Sequence, residues 1–472
     1  MTAASGTSSL RPYGVTIPAI GAVAVYMAFL AWAFEHSGYD TWGGVLVGTV
    51  LLLASLPVVL ALARREPDPR VARLLPWALG LKLGASLVRL AITFAVYDGV
   101  ADANTYHTAG HMLAPMYRRG DFSADIGGLV GTGFMKVFTG LVYAVIGSTR
   151  LGGFIVFSWI GFWGLYLFYR AFRLACPEGD SWRYACLVFL LPSLLFWPSS
   201  IGKEAWMTLS LGMATYGAAK ILTRTRGGFV TLALGVAGTV LVRPHVGIIL
   251  MVSLLPAYLF RRPPAGGSIL GPVAKIGGIL LLGVILAVVV GEASELFGVK
   301  DRFDAEAVSA LRQRANTQTS AAGSSFGNGT TDFSPSAFPG ALMSVLFRPF
   351  PWEAGNPLAF IASLEGTFLL AMAVICRGRV VGAVRSILHT PYVVLCLVYT
   401  VLFVYGFSSF ANFGVLTRQR VQVFPFVLVL LALPAYKHTD GGWRDLFRRP
   451  YDEVRPADPA RGEDDEPAWL PR

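Results

Sequence analysis

The chain is short of charge: only 14% of its 472 residues are Asp, Glu, Lys or Arg, whereas 54% are hydrophobic. That balance excludes an ordinary soluble enzyme. Cysteine is scarce too. Cys176, Cys186, Cys376 and Cys396 all fall in apolar runs or basic loops, which leaves no disulfide for outward loops. No Gly-rich loop ending in Lys-Ser/Thr is present, so nucleotide-driven transport by this chain is not indicated. There is no Gly-x-Ser-x-Gly elbow, no His-Glu-x-x-His and no paired-Cys spacing. A divalent metal on His107, His111 and His245 is therefore the lesser reading, and no cofactor is expected. The N-terminal region carries one basic residue, Arg11, and no small-residue cleavage site, so the first apolar run reads as a retained helix.

Apolar runs of spanning length fill the rest. They lie near 14–34, 43–63, 75–97, 151–170, 184–200, 205–222, 228–242, 246–260, 269–290, 357–375, 390–406 and 421–436. The expected fold is an all-α polytopic membrane protein of about twelve transmembrane helices, occupying residues 1–437. The net charge of +11 sits in short loops, where it sets topology and meets anionic lipid and not nucleic acid. Arg64, Arg65, Arg70 and Arg73 mark one such loop, followed by Arg170, Arg173 and Arg183, then Lys220, Arg224 and Arg226. Arg261 with Arg262, then Arg377, Arg379 and Arg385, and finally Lys437, Arg444, Arg448 and Arg449 complete the series. The positive-inside rule puts these loops in the cytoplasm, with both termini, and points the intervening loops outward from a plasma membrane. A further apolar segment, 128–146, would reverse every later basic loop if it crossed, so it is expected to be a juxtamembrane or re-entrant helix.

Two outward segments are long, about 98–127 and 291–356. The second begins with a polar helix-like stretch through Arg312 and Arg314. It continues from Thr317 to Ser336 as a Ser-, Thr-, Gly- and Asn-rich loop expected to be mobile and to act as a lid. Residues 438–472 read as a solvated, partly disordered cytoplasmic tail.

The outward side holds the residues able to do chemistry. Asp102 precedes Tyr106, His107 and His111, and suits either a helix N-cap or a reacting carboxylate, roles that are compatible. Lys203 and Glu204 follow a Pro-Ser-Ser-Ile-Gly turn, where both suit interfacial anchoring or a polar cavity. Arg243 and His245, Arg348 and Glu353, and Arg418 and Arg420 lie at later outward turns. Any one of these arginines suits a helix anchor. As a group they run against the positive-inside bias, and their donor forks suit a lipid phosphate or pyrophosphate. Arg89 and Glu365 lie inside apolar runs, where charge is costly, and are compatible with a buried structural pair.

Residues 75–260 resemble the membrane glycosyltransferases of the GT-C class. The likeness rests on Asp102 with Tyr106 in an early outward loop, then Arg-Arg-Gly-Asp-Phe at 118–122. Ile-Gly-Ser-Thr-Arg150 leading to Tyr-Arg-Ala-Phe-Arg173, and Leu-Pro-Ser-Leu-Leu-Phe-Trp-Pro-Ser-Ser200 before Lys203, add to it. The family places its Asp after the first span; here it follows the third, which implies two additional N-terminal spans. The resemblance implies a polyprenyl-phosphate sugar donor, a glycan or lipid acceptor of the cell envelope, and an outward active site. It makes Asp102 the general base, with Glu204 and His107 as helpers. The arginines would neutralise the leaving phosphate, and Tyr106, His111, Lys203, His245 and Glu353 would complete substrate binding. The later region is also similar to polysaccharide polymerases and ligases, which use outward arginines on lipid pyrophosphates. A transporter or flippase would use the same arginines without chemistry.

Overall fold

The computed structural model describes residues 13–261, 270–297, 305–320, 332 and 334–435, and every regular element among them is a helix. Helix α1 (Tyr13–His36) leads to α2 (Tyr39–Arg64) and α3 (Pro69–Ala95). Asp68 begins α3 by accepting from the Arg70 amide, and Pro69, which has no N–H to lose, takes the first helical position.

Next come α4 (Asp102–Arg118) and α5 (Thr132–Ile146), a hairpin made close by glycine. A Cβ on Gly110 would stand 2.6 Å from the Thr139 methyl. The hairpin rejoins the bundle where it left it: the Arg150 guanidinium lies 5.0 Å from the ring of Phe94, near the end of α3. Thr149 also donates to the Asp40 carbonyl at 2.8 Å. Segment 128–146 thus begins and ends at one end of the bundle, with α5 packed on α4.

Helix α6 (Arg150–Ala175) is the buried centre. Its Gly164 meets Gly212 of α9 (Lys203–Leu222) so closely that a Cβ on Gly212 would lie 2.3 Å from the Gly164 carbonyl. Between them run α7 (Ser181–Leu190) and α8 (Pro192–Phe196), which a 3-10 turn, Trp197–Ser199, extends. Leu191 is extended and Pro192 has no N–H, so the helix breaks there. Lys82 of α3 donates to the carbonyls of Leu194 and Leu195 at 2.8 and 2.9 Å. The Glu365 carboxylate accepts from the Ser193 amide at 2.6 Å. Each charged side chain meets backbone groups beside the break, which explains their presence in apolar helices.

The chain continues through α10 (Gly228–Val240), α11 (Pro244–Leu259), α12 (Leu270–Phe297), α13 (Ala305–Ser320), α14 (Phe338–Phe347) and α15 (Pro357–Ile375). It closes with α16 (Arg377–Arg385), α17 (Pro391–Phe407), α18 (Phe413–Gln419) and α19 (Phe424–Ala432). At the basic end, Arg173 pairs with Glu66 at 3.6 Å and Arg379 with Asp180 at 3.6 Å. The basic loops around 64–73, 170–183 and 377–385 therefore gather at one end, and the α4–α5 hairpin lies at the other.

Five helices among the described residues are long and apolar enough to cross a membrane: Tyr39–Arg64, Pro69–Ala95, Arg150–Ala175, Lys275–Glu292 and Pro357–Ile375. A sixth is counted if Phe413–Gln422 and Phe424–Ala432, bent by 61°, form one broken span. The other expected runs include α10, α11 and α17, with 13, 16 and 17 residues. Each is shorter than the roughly 20 residues needed to cross a bilayer core unaided.

The long second loop is more ordered than its composition suggests. Helix α13 runs to Ser320, Arg312 donates to Ser408 Oγ at 2.7 Å, and Thr319 Oγ1 accepts from the Ala411 amide at 2.9 Å. Of the stretch expected to be mobile, Thr317–Ser336, residues 321–331 and 333 lie outside the described residues, as does the tail at 438–472.

Candidate functional site

Asp102 opens α4, yet it does not cap it. The N-cap is Ala101, and no side chain bonds the free amides there. The Asp102 carboxylate instead faces across the bundle end to Arg418 of α18, with Oδ2 2.8 Å from Nη1. Its side chain remains 57% exposed.

Arg418 joins Asp102 to a second carboxylate. Its Nε lies 3.4 Å from Glu204 Oε1, and the same oxygen accepts from Arg243 Nη2 at 2.9 Å. Glu204 sits in the first turn of α9, where the helix dipole favours an anion. Arg243 occupies the bend between α10 and α11, before Pro244. Glu204 and Arg243 are 7% and 8% exposed, so this ion pair lies in the interior whereas Asp102 lies at the mouth. Burial alone would push the Glu204 carboxyl up. Arg418 and Arg243 outweigh it and hold the group down at about 2. Glu204 therefore stays ionised and orients the two guanidiniums.

Tyr106 and Lys203 lie within electrostatic reach of these carboxylates, and His245 within reach of Arg243 and Lys203. Tyr106, one turn along α4 from Asp102, is buried; burial and the Asp102 charge push its phenol up to about 12. Lys203 donates to Thr132 Oγ1 at 3.1 Å, and burial together with Arg243 lowers its ammonium. His245 packs 5.9 Å from the Phe407 ring, and burial, Arg243 and Lys203 bring its imidazole down to about 3, so it is neutral.

The remaining expected residues are placed elsewhere. His107 faces α5, its Nδ1 2.8 Å from the Tyr143 hydroxyl. Burial, then Arg150, lowers that imidazole. His111 lines a depression of about 480 Å³ with Tyr39, Pro115, Arg118 and Ile146, which Asp102 and Glu204 do not border. Arg348 and Glu353 bind one another, with Nε 2.9 and 3.1 Å from the two carboxylate oxygens. Arg420 donates to the Leu346 carbonyl at 3.0 Å and to the Arg348 carbonyl. These three make a bracket between α14 and α18 whose charged groups already have partners.

Arg89 is the residue whose place the sequence did not specify. Glu365 accepts from the Ser193 amide, and Arg89 stands elsewhere, against aromatic rings. The Arg89 guanidinium stands 4.6 Å from the Phe196 ring and 4.8 Å from the Trp197 ring, within electrostatic reach of Glu204, Arg418 and Asp102. Its signal was a lone cation in an apolar run, which marks function or a partner without naming which. Among the described residues no group of three His, Cys, Asp or Glu side chains converges as metal ligands would. No family model, no curated protein and no solved structure matches the chain.

Proposed function

We propose that the chain is a membrane glycosyltransferase of GT-C-like architecture, with about twelve spans counting short and broken helices. It moves a sugar from a polyprenyl-phosphate carrier to a glycan or lipid acceptor of the cell envelope. The reaction takes place at the outer face of the plasma membrane, with both termini cytoplasmic. One observation carries this reading: an accessible carboxylate, Asp102, shares Arg418 with a buried Glu204–Arg243 pair. A base able to reach an acceptor and cations able to meet a phosphate thus stand at one bundle end, opposite the basic loops.

In the proposed step the acceptor hydroxyl oxygen bonds to the anomeric carbon, and its proton passes to Asp102. The bond from that carbon to the phosphate oxygen breaks, and its electron pair stays on the phosphate. The lipid phosphate thereby goes from a diester with one negative charge to a monoester with two. Proton uptake by Asp102 also removes one of the two carboxylate charges on Arg418, leaving more of its positive charge for the phosphate as that gains charge. Glu204, Tyr106 and Lys203 position these groups. A polymerase or ligase acting on a lipid pyrophosphate would draw on Arg348, Arg418 and Arg420; of these Arg418 stands in the Asp102–Glu204 cluster, whereas Arg348 binds Glu353 and Arg420 binds backbone carbonyls.

The test compares lipid-linked glycans extracted from cells carrying the native chain or Asp102→Asn. The expected result is accumulation of the lipid-linked monosaccharide and loss of one surface sugar in the variant. Identical profiles from an active native chain would overturn the base assignment. Movement of substrate into sealed vesicles without product would identify a transporter instead.

A further inference from the structure

Arg89 is 7% exposed, and its Nε and Nη1 have no hydrogen-bond partner among the described residues. Arg243, equally buried, leaves its Nη1 without one. Buried guanidinium donors without acceptors are costly, and two in one cluster call for a ligand. The charge count points the same way. Arg89, Arg243, Arg418 and Lys203 surround two carboxylates, Asp102 and Glu204, an excess of two positive charges. The Phe196 and Trp197 rings hold the Arg89 guanidinium without neutralising it. The exposed Asp102–Arg418 pair closes the cluster toward solvent, and solvent-screened pairs of that kind are weak enough to open readily.

We infer that Arg89 completes an anion site charge-matched to a lipid phosphate monoester dianion, and that the site prefers this species to the singly charged diester. The inference rests on the transferase reading and deepens it: the cations fit the leaving group better than the intact donor, so they favour the charge that develops in the step. Arg89 is a binding residue in this account, Arg243 binds Glu204, and Glu204 is the counter-ion that offsets the repulsion among the guanidiniums.

The experiment measures binding calorimetrically with the full chain in lipid nanodiscs near pH 8. The probes are a short-chain prenyl phosphate, its methyl diester and inorganic phosphate. The monoester is expected to bind at least tenfold more tightly than the diester. Arg89→Gln should lower that ratio severalfold by weakening the monoester alone, and Arg89→Lys should keep most of it. Should Arg89→Gln fail to fold, the native chain still decides. Its affinity for the monoester should rise between pH 5 and 8 as the second phosphate proton leaves, near pKa 6, whereas the diester should not change. Equal native affinities, an unchanged ratio in a folded Arg89→Gln protein, or a flat pH profile would each overturn the inference. Inorganic phosphate binding as tightly as the prenyl phosphate would overturn the lipid source. A chain that prefers the monoester but forms no glycan product keeps this site and loses the transferase reading, so the two failures are distinct.

Discussion

Two groups of arginines look alike in the sequence and differ in the fold. Around Glu204, Arg243 and Arg418 share one carboxylate, Arg89 stands beside it, and buried donors are left over. Between α14 and α18, Arg348 meets both oxygens of its own Glu353, five residues on, and Arg420 reaches two backbone carbonyls. The second group closes on itself within the chain, as a bracket does. The first draws its members from α3, α4, α9, the α10–α11 bend and α18, and retains surplus positive charge. A cation that has found its acceptor locally is structural; one held in the interior with donors to spare is arranged for something that arrives later.

The sharpest way to break this contrast is chemical. Asp102→Asn keeps the shape at the mouth of the first group and removes its proton acceptor. Glycosyl transfer should fall by about 10²–10⁴-fold, the usual contribution of a general base. Thermal stability should change by less than about 1 kcal/mol, because the pair is exposed. Next in size is stability. Arg243→Leu removes the nearest cation from buried Glu204, leaving Arg418 as its ion-pair partner at 3.4 Å, and should cost about 3–5 kcal/mol, whereas Arg348→Leu in the part-buried bracket should cost about 1 kcal/mol. Unfolding of detergent-solubilised variants measures both, and equal losses would erase the distinction.

Acid sharpens the comparison further. Glu204 sits at about 2 in the fold, below its ordinary 4.5, so the stability it supplies is complete above about 4.5 and is lost as pH falls toward 2. Glu204→Gln should flatten that part of the stability profile; an unchanged acid limb would mean that other carboxylates set it. The smallest expected effect is at His107. His107→Phe should cost about 1 kcal/mol through the lost Tyr143 hydrogen bond and leave transfer within twofold of native. A large loss of transfer would return His107 to the active site.

Much of this was legible beforehand. Apolar runs and basic loops pointed to a helical membrane protein, because hydrocarbon tolerates neither charge nor unpaired backbone groups. Segment 128–146 stood out because its crossing would have reversed the basic loops, and the structure packs its helix α5 on α4. Asp102, Glu204, Arg243 and Arg418 were each visible as charges at turns between apolar runs. Their convergence was not, because 316 residues separate Asp102 from Arg418 and no local spacing encodes a contact of that range. The cap reading of Asp102 failed because its carboxylate is taken by Arg418 and not by the amides of its own helix.

Composition by itself determined the helical class of this protein and its apolar helices long enough to span a membrane, since both follow from the cost of transferring charge and unpaired backbone groups into lipid. Which of those charges would be consumed as anchors and which held in surplus was decided only when the helices packed. Glu353 lies close to Arg348 along the chain, but the acceptors of Arg243 and Arg418, and the aromatic rings over Arg89, had to be brought from other helices.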